Sequence, residues 1–299
     1  MLFIVQTALK LGTIYALVSL ALFLSYLILD IADLTTDGGF VLGMAVSVSV
    51  AAAGYPVLGL IAAPLAGACA GFVTAFLQTR LGVPSILAGI VTNTGLYTVN
   101  LMVMGWSSNI SLLKQATIFT RFKATGIGGS WYELIITGGI TAAAMLLMHL
   151  FLKTRLGLSI RATGDNRDMV RASSINPVFT ITTGLCISNA LTSLAGGVIG
   201  QMQKSADING GTGIVVVGLA CLIIGETFVG RRTMARNILA VLVGSILYRL
   251  LYAVILKTAL VPIECLKLMT AVIVGLAIAT PTLKAAAAFQ KKKLAGSKH

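Results

Sequence analysis

Residues 11–29 read LGTIYALVSLALFLSYLIL, and no charged side chain interrupts this stretch between Lys10 and Asp30. A bilayer core about 30 Å thick is crossed by about 20 apolar residues in a helix. The stretch is therefore long enough to span a membrane. Three more uncharged stretches follow, between Asp37 and Arg80, between Arg80 and Lys114, and between Glu133 and Lys153.

The composition of the 299 residues supports the same class of protein. They are 57% hydrophobic and 10% charged, whereas soluble domains carry about 25% charged residues. Too few charges remain to cover a surface that faces water. We predict an all-α, polytopic helical membrane protein in which residues 1–299 form one transmembrane domain. Its apolar blocks predict about nine spans, near residues 8–29, 38–54, 57–79, 84–104, 133–152, 177–200, 213–229, 236–256 and 266–283.

The basic residues predict the orientation of these spans. Most of the 22 Lys and Arg lie at Arg80, in the connections 153–171 and 231–236, and in the basic tail 284–299. Such residues concentrate on the cytoplasmic side, so the C-terminus is predicted in the cytoplasm and, by alternation, the N-terminus outside. The net charge of +13 then reflects orientation and anionic lipid. No basic helix interleaved with aromatic residues appears, so we expect the lipid bilayer as a partner and no nucleic acid.

Several kinds of chemistry have no sequence support. The four cysteines lie scattered, mostly inside apolar spans, without metal-ligand spacing, so we predict buried thiols and no metal. The chain contains no G-x-x-x-x-G-K-[ST] motif, which would hold the phosphates of ATP. We therefore predict that the chain is not an enzyme and that it has no cofactor of its own. Its N-terminus lacks the features of a signal peptide and is interpreted as the first span.

A polar stretch, DIADLTTDGG at residues 30–39, separates the first two apolar blocks. Three carboxylates lie there with almost no basic residue nearby. The stretch is either a plain turn or a non-helical break that lines a polar cavity, since irregular backbone is tolerated at membrane depth only where protein or water satisfies it. Thr35 and Thr36 can cap the helix that follows. Asp33, Thr36 and Asp37 are candidates for a translocation pathway.

Polar residues also lie inside two spans. Asn93, Tyr97 and Asn100 are spaced i, i+4 and i+7, so they share one face of a helix. Asn189 lies in a similar polar patch of the sixth span. Polar residues in spans usually face the bundle interior. They either line a route for a polar solute or bond a neighbouring helix.

The connection before Pro177 predicts a short helix over about 164–176. Gly164 is expected to break the chain, Asp165 to act as N-cap and Asp168 to form a capping box. Met169 and Val170 are then expected to project from a polar rod. Such a helix suits insertion into a groove of a cytoplasmic partner, or it lies on the membrane surface.

This connection resembles the coupling helix of ABC importer permeases in the branched-chain amino acid and ribose group. Residues 161–166, RATGDN, carry the start of the family pattern, while SSI at 173–175 departs from it. Residues 30–39 resemble the broken second helix of that family, and 210–232 resemble its glycine-rich seventh-span exit. The stretch ADLTTDG at 32–38 most resembles the branch for tryptophan or related amino acids.

The resemblance implies a type II-like importer permease in a bacterial plasma or inner membrane. It implies a dimeric pore for a small polar solute, most simply an amino acid, with the choice between homodimer and heterodimer open. Partners would be two cytoplasmic ATPase subunits, which bind the ATP, and an extracellular or periplasmic solute-binding protein. The residues expected to couple to the ATPase are Gly164, Asp165, Asn166, Asp168, Met169, Val170, Arg171 and Ala172. The weaker candidates for the pathway are Asp33, Thr36, Asp37, Asn93, Tyr97, Asn100 and Asn189.

Other transport and non-transport functions compete with this interpretation. An ion-coupled secondary transporter would show intramembrane carboxylates and paired broken helices in two repeats. Asp33 and Asp37 supply part of that pattern, but the second half of the sequence shows no matching break. An ABC permease for a sugar or nucleoside is a further alternative. A structural membrane protein is disfavoured by the polar faces and the projecting helix.

Overall fold

The computed structural model describes residues 2–113, 115–124, 126, 129–230, 233–258, 272 and 275. Helix α1 covers Leu2–Leu22 and continues as a π-helical turn over Phe23–Ile28. The other helices are α2 Thr36–Ala52, α3 Pro56–Thr79, α4 Ser85–Val103, α5 Ile118–Ala124, α6 Tyr132–Lys153, α7 Arg155–Asp165, α8 Arg167–Ala172, α9 Pro177–Gln203, α10 Ile214–Val229 and α11 Met234–Thr258. A 3-10 turn, Gly129–Trp131, precedes α6, and the strands β1 Asn109–Ser111 and β2 Ser205–Asp207 pair antiparallel.

Several helices have the length and the apolar composition of membrane spans. Among the described residues, six are long and apolar enough to cross a membrane: Val5–Ile28, Pro56–Thr79, Ser85–Val103, Tyr132–Lys153, Pro177–Gln203 and Met234–Ile255. Two shorter apolar helices are α2 and α10. The prediction of about nine spans is therefore not confirmed as a count. The predicted last span, 266–283, and the basic tail 284–299 lie outside the described residues, apart from positions 272 and 275.

The short helix α2 begins inside the bundle. The side chain of Asp33, just before α2, accepts a hydrogen bond from Asn189 of α9 at 2.6 Å. Asn189 comes twelve residues after Pro177, at which the 27-residue α9 begins, or about 18 Å along its axis. The non-helical residues 29–35 thus lie at about half the depth of α9. Because Asp33 is only 2% exposed there, the structure favours the buried break over the plain surface turn.

Small residues allow the central helices to pack backbone to backbone. A Cβ atom at Gly43 of α2 would overlap the backbone of Ser193 in α9, and one at Gly71 of α3 would overlap the carbonyl of Leu185. Interfaces in membranes favour such residues, because close van der Waals contact replaces the hydrophobic driving force. As a result α9 is packed between α2 and α3 at the centre of the bundle.

An ion pair and a close backbone contact identify the two ends of the bundle. At one end, Lys10 of α1 forms an ion pair with Glu133 at the start of α6. At the other end, Gly164 of α7 lies against the carbonyl of Ile28, where the π-helical turn finishes. The first helix therefore runs from the Glu133 end to the α7 end.

Candidate functional site

A polar cavity of about 340 Å³ opens between α2, α4 and the turn before α10. It contains four of the seven residues that the sequence suggested for a pathway. The lining residues are Asp37, Gly38, Val41, Asn93, Thr94, Tyr97, Asn100, Ile208, Asn209, Gly211 and Thr212. The helical spacing of Asn93, Tyr97 and Asn100 thus places all three on the cavity face of α4.

Asp37 joins the two short helices at the cavity. Its carboxylate accepts hydrogen bonds from the backbone N–H of Gly213 at 3.0 Å and of Val215 at 2.9 Å. These donors belong to the N-terminal end of α10, whose first N–H groups have no partner within the helix. Asp37 also lies in the first turn of α2. One negative charge therefore faces the positive ends of two helix dipoles, an arrangement that stabilises both.

Asn100 is the most buried polar side chain of α4 in this cavity, with 2% of its surface exposed. Its Nδ2 donates to the carbonyl oxygen of Gly38 at 3.3 Å. Its Oδ1 is buried and has no hydrogen-bond partner. Glycine at position 38 makes room for α4 beside α2, since a Cβ atom there would overlap Oδ1 of Asn93 and displace that side chain.

The other three pathway candidates lie beneath the cavity. Asp33 accepts a hydrogen bond from the backbone N–H of Thr35 at 2.9 Å as well as from Asn189. Thr36 donates through its hydroxyl to the carbonyl oxygen of Asp33 at 3.1 Å. Asp33, Thr36 and Asn189 are buried, so they hold the break in place and do not line the cavity. For Asn189, the structure selects bonding to another segment.

The suggestion that Thr35 or Thr36 caps α2 is wrong. Thr35 occupies the N-cap position, but its side chain makes no capping hydrogen bond. Its hydroxyl instead pairs with that of Thr74 in α3 at 2.7 Å. The inter-helix partner wins because both hydroxyls are fully or almost fully buried, and a buried hydroxyl without a partner is costly.

The predicted coupling segment contains two helices where the sequence suggested one. Helix α7 continues through Gly164 to Asp165, so Gly164 does not break the chain and Asp165 is not the N-cap. The N-cap of α8 is Asn166, whose side-chain oxygen accepts from the N–H of Asp168 and of Met169, each at 3.0 Å. With the cap moved by one residue, the capping box expected at Asp168 is absent.

Helix α8 is also shorter than expected and only one of its two apolar side chains is free. It ends at Ala172, and Ser174 follows in a left-handed conformation with φ of 60°. Met169 is 56% exposed, whereas Val170 is fully buried, which corrects the prediction that both project. Asp168 and Arg171 lie 3.8 Å apart on the exposed side. Such surface pairs contribute little to stability.

Helix α7 connects α8 to the interior break. The Thr163 hydroxyl lies 2.8 Å from that of Thr180 in α9. Because Gly164 has no side chain, α7 can press against the carbonyl of Ile28. The chain from Ile28 leads within five residues to Asp33, beside the floor of the cavity. Packing contacts and the chain itself thus join α8 to the break beside the cavity.

The turn before α10 contributes cavity residues that the sequence patterns did not indicate. Asn209, Gly211 and Thr212 line the cavity, and a Cβ atom at Gly211 would overlap the carbonyl oxygen of Asp37. The glycines of 210–213 were a usable signal, because close backbone approach commonly requires glycine. In the part of the chain that the structure describes, no group of three or more His, Cys, Asp or Glu residues can hold a metal ion.

Comparisons with known proteins identify the family. A sequence profile described as "Branched-chain amino acid transport system / permease component" matches residues 4–280.

The tyrosine transport system permease protein of Clostridioides difficile (strain R20291) is 31% identical over 90% of this chain and 88% of its own length. The ribose import permease protein RbsC of Escherichia coli (strain K12) is 31% identical over 65% of this chain and 60% of its own length. The autoinducer 2 import system permease protein LsrC of Salmonella paratyphi B is 28% identical over 58% and 49%. No solved structure matches. The chain belongs to the branched-chain amino acid and ribose-type family of ABC transporter permeases.

Proposed function

We propose that this chain is the transmembrane subunit of an ATP-driven importer for a small polar solute. The observation that carries the proposal is helix α8, which follows α7 at the end opposite the Lys10–Glu133 pair and has one exposed side. Met169 and Arg171 are exposed on it, while Val170 anchors it from below. A rigid, capped helix with a free apolar side chain is suited to a groove on another protein.

The same contacts support a mechanism of alternating access. ATPase subunits that close on ATP would displace α8, and α7 would transmit the displacement through Gly164 to Ile28. The break that follows carries Asp33, and α2 begins at Thr36. Movement of the break would shift α2 against α4 and so change the access to the polar cavity between them. Helices of this length are stiff enough to move as units, with the break as a hinge.

Partners and orientation follow from this assignment. The α8 end would face the cytoplasm and bind two ATPase subunits, and the opposite end would receive solute from a binding protein outside. Because the start of α1 lies at the Glu133 end, the N-terminus would be outside; the basic tail favours a cytoplasmic C-terminus. Two such chains would form the pore in a bacterial plasma or inner membrane.

An amino acid is the favoured solute. The tyrosine transport permease covers 90% of this chain at 31% identity. The ribose and autoinducer 2 permeases cover smaller shares of it, 65% and 58%. The polar cavity accommodates a small solute of either chemical class, so its size alone does not discriminate between an amino acid and a sugar.

Co-purification and uptake test the proposal. The tagged chain is co-expressed with candidate ATPase and binding-protein subunits from the same organism, purified, and reconstituted in vesicles for uptake of radiolabelled tyrosine, leucine and ribose. We expect Met169→Glu to lose both the bound ATPase and uptake, because a charge then enters the apolar contact. Leu113→Glu is the matched control for ATPase binding, since Leu113 is also exposed but precedes α5, on the connection between α4 and α6. Retention of ATPase and uptake in the Met169→Glu variant would overturn the assignment of α8.

The structure also bears on the ion-coupled alternative. The two short helices α2 and α10 meet at Asp37, and meeting half-helices are a feature of secondary transporters. If the purified chain takes up solute without any ATPase, and uptake follows a Na⁺ or H⁺ gradient, the chain is such a carrier. Uptake that requires ATP and the ATPase subunits excludes this alternative.

A further inference from the structure

The charges around the cavity are arranged in a way that disfavours a carboxylate. The N-terminal ends of α2 and α10 would ordinarily attract an anion. Here the carboxylate of Asp37 already occupies that position, with one oxygen bonded to Gly213 and the other to Val215. Among the described residues, none that lines the cavity is a Lys, Arg or His. An anionic group entering the cavity would meet a negative charge and no cation from this part of the chain.

The unsatisfied polar atom of the cavity is an acceptor. Oδ1 of Asn100 is buried without a partner, whereas Nδ2 of the same amide is engaged by the Gly38 carbonyl. Because Nδ2 donates to the Gly38 carbonyl oxygen, Oδ1 is the atom of the amide that points away from α2. Buried polar atoms are nearly always hydrogen-bonded. Because Asn100 lines the cavity, a small shift of its side chain would let Oδ1 accept from a donor on a molecule there.

We propose that the cavity binds the hydrogen-bond-donating end of the solute, an ammonium or hydroxyl group, with Oδ1 of Asn100 as the acceptor, and that it rejects carboxylates. The inference rests on the proposed function, because it assumes that the cavity receives the transported solute. For an amino acid, the ammonium group would lie towards Asn100 and Asp37, and the carboxylate would point away from them. A sugar would offer a hydroxyl group to the same acceptor.

Cysteine labelling of the full-length chain in lipid nanodiscs tests this without any ATPase. Tyr97 lines the cavity and is partly exposed, so Tyr97→Cys provides a reporter after Cys69, Cys186 and Cys265 are replaced by Ser. Ser107→Cys, on an exposed loop, is the control position. For each position we compare the labelling rate of the cationic 2-aminoethyl methanethiosulfonate with that of the anionic 2-sulfonatoethyl reagent. We expect this cation-to-anion ratio to be about tenfold higher at position 97 than at position 107, because one negative charge lies near position 97.

Protection from labelling identifies the end of the solute that binds. We expect millimolar phenethylamine, whose ammonium group is its sole hydrogen-bond donor, to slow labelling at position 97. The analogue 3-phenylpropionate has a carboxylate and no donor, and it should have a much smaller effect. Asn100→Leu should abolish protection by phenethylamine, while Asn100→Asp, which keeps an acceptor oxygen, should retain it.

The outcomes separate this inference from the proposed function. Protection by 3-phenylpropionate and not by phenethylamine, or equal behaviour of Asn100→Leu and Asn100→Asp, overturns the inference. A cation-to-anion ratio at position 97 that equals the ratio at position 107 does so as well. The labelling readout needs no ATPase, so loss of the ATPase interaction would overturn the importer assignment and leave the cavity result standing.

Discussion

The contact between Asp37 and the start of α10 provides the sharpest test of the fold around the cavity. Asp37→Asn keeps the shape of the side chain but removes its charge and replaces one acceptor oxygen by an NH₂ group. That group cannot accept from the N–H of Gly213 or Val215, which lie 3.0 and 2.9 Å from the two carboxylate oxygens. One backbone N–H at the N-terminal end of α10 therefore loses its partner.

The expected loss of stability follows from two contributions. A hydrogen bond to a charged group contributes about 1.5–3 kcal/mol. A carboxylate at a helix N-terminus contributes about 0.3–1 kcal/mol more for each helix, and here two helices are involved. We expect Asp37→Asn to lower the free energy of unfolding by about 2–5 kcal/mol. For a chain of this size that corresponds to a fall in Tm of about 3–8 °C.

The assay uses a thiol on the affected helix. Cys221 lies in α10 and is fully buried, so its reaction with a fluorescent maleimide during heating reports the release of this helix. The other three cysteines are replaced by Ser for the measurement. Asp30→Asn is the matched control, because Asp30 is an exposed aspartate in the same segment. We expect its Tm to stay within about 2 °C of the parent, as for most surface substitutions.

Two results would refute the reasoning. If Asp37→Asn and Asp30→Asn shift Tm equally, the two hydrogen bonds do not hold α10. If the Cys221 reaction of Asp37→Asn follows the parent curve while whole-chain helicity melts earlier, the loss of stability lies elsewhere than at α10.

The same thermal assay checks two further predictions. Gly196→Ala should lower stability by about 1–3 kcal/mol through overpacking, because a Cβ atom at Gly196 would overlap the carbonyl oxygen of Phe40. The control Gly139→Ala has open space around it and should be neutral or stabilising by up to about 1 kcal/mol. Equal effects of the two substitutions would contradict the packing of Gly196 against Phe40. Lys10→Met should lower stability by about 1–3 kcal/mol, because it leaves the mostly buried Glu133 carboxylate without its ion-pair partner. Lys10→Met combined with Glu133→Leu should recover most of that loss. Additive losses in the double-mutant cycle would show that the two residues are not coupled.

The spans were predictable because they depend on local composition. The predicted blocks 57–79, 84–104 and 213–229 agree within a residue or so with Pro56–Thr79, Ser85–Val103 and Ile214–Val229. Each is bounded by Pro or Gly or by a charged connection, and those signals are read from neighbouring residues. The shared face of Asn93, Tyr97 and Asn100 was predictable for the same reason, since helical spacing alone places them together.

The end of α7 was not predictable to the residue. Asp165 and Asn166 are both good N-cap residues, and Gly164 is a common breaker, so local rules placed the break one or two residues early. The packing of Gly164 on Ile28 keeps α7 helical through that glycine. The burial of Val170 beside the exposed Met169 had no sequence signal either, because six residues are too few to show a periodic apolar face.

Hydrophobic length and motif order are enough to identify a helical membrane protein, to place most of its spans and to indicate the similar transporter family. These features are properties of contiguous residues and do not depend on which helices pack together. The hydrogen bond between Asp33 and Asn189 beneath the cavity, and the contact of Asp37 with the start of α10, are visible in the folded bundle alone. These contacts join residues more than 150 positions apart. They form only because small residues allow particular helices to approach each other closely, and this packing depends on the whole bundle.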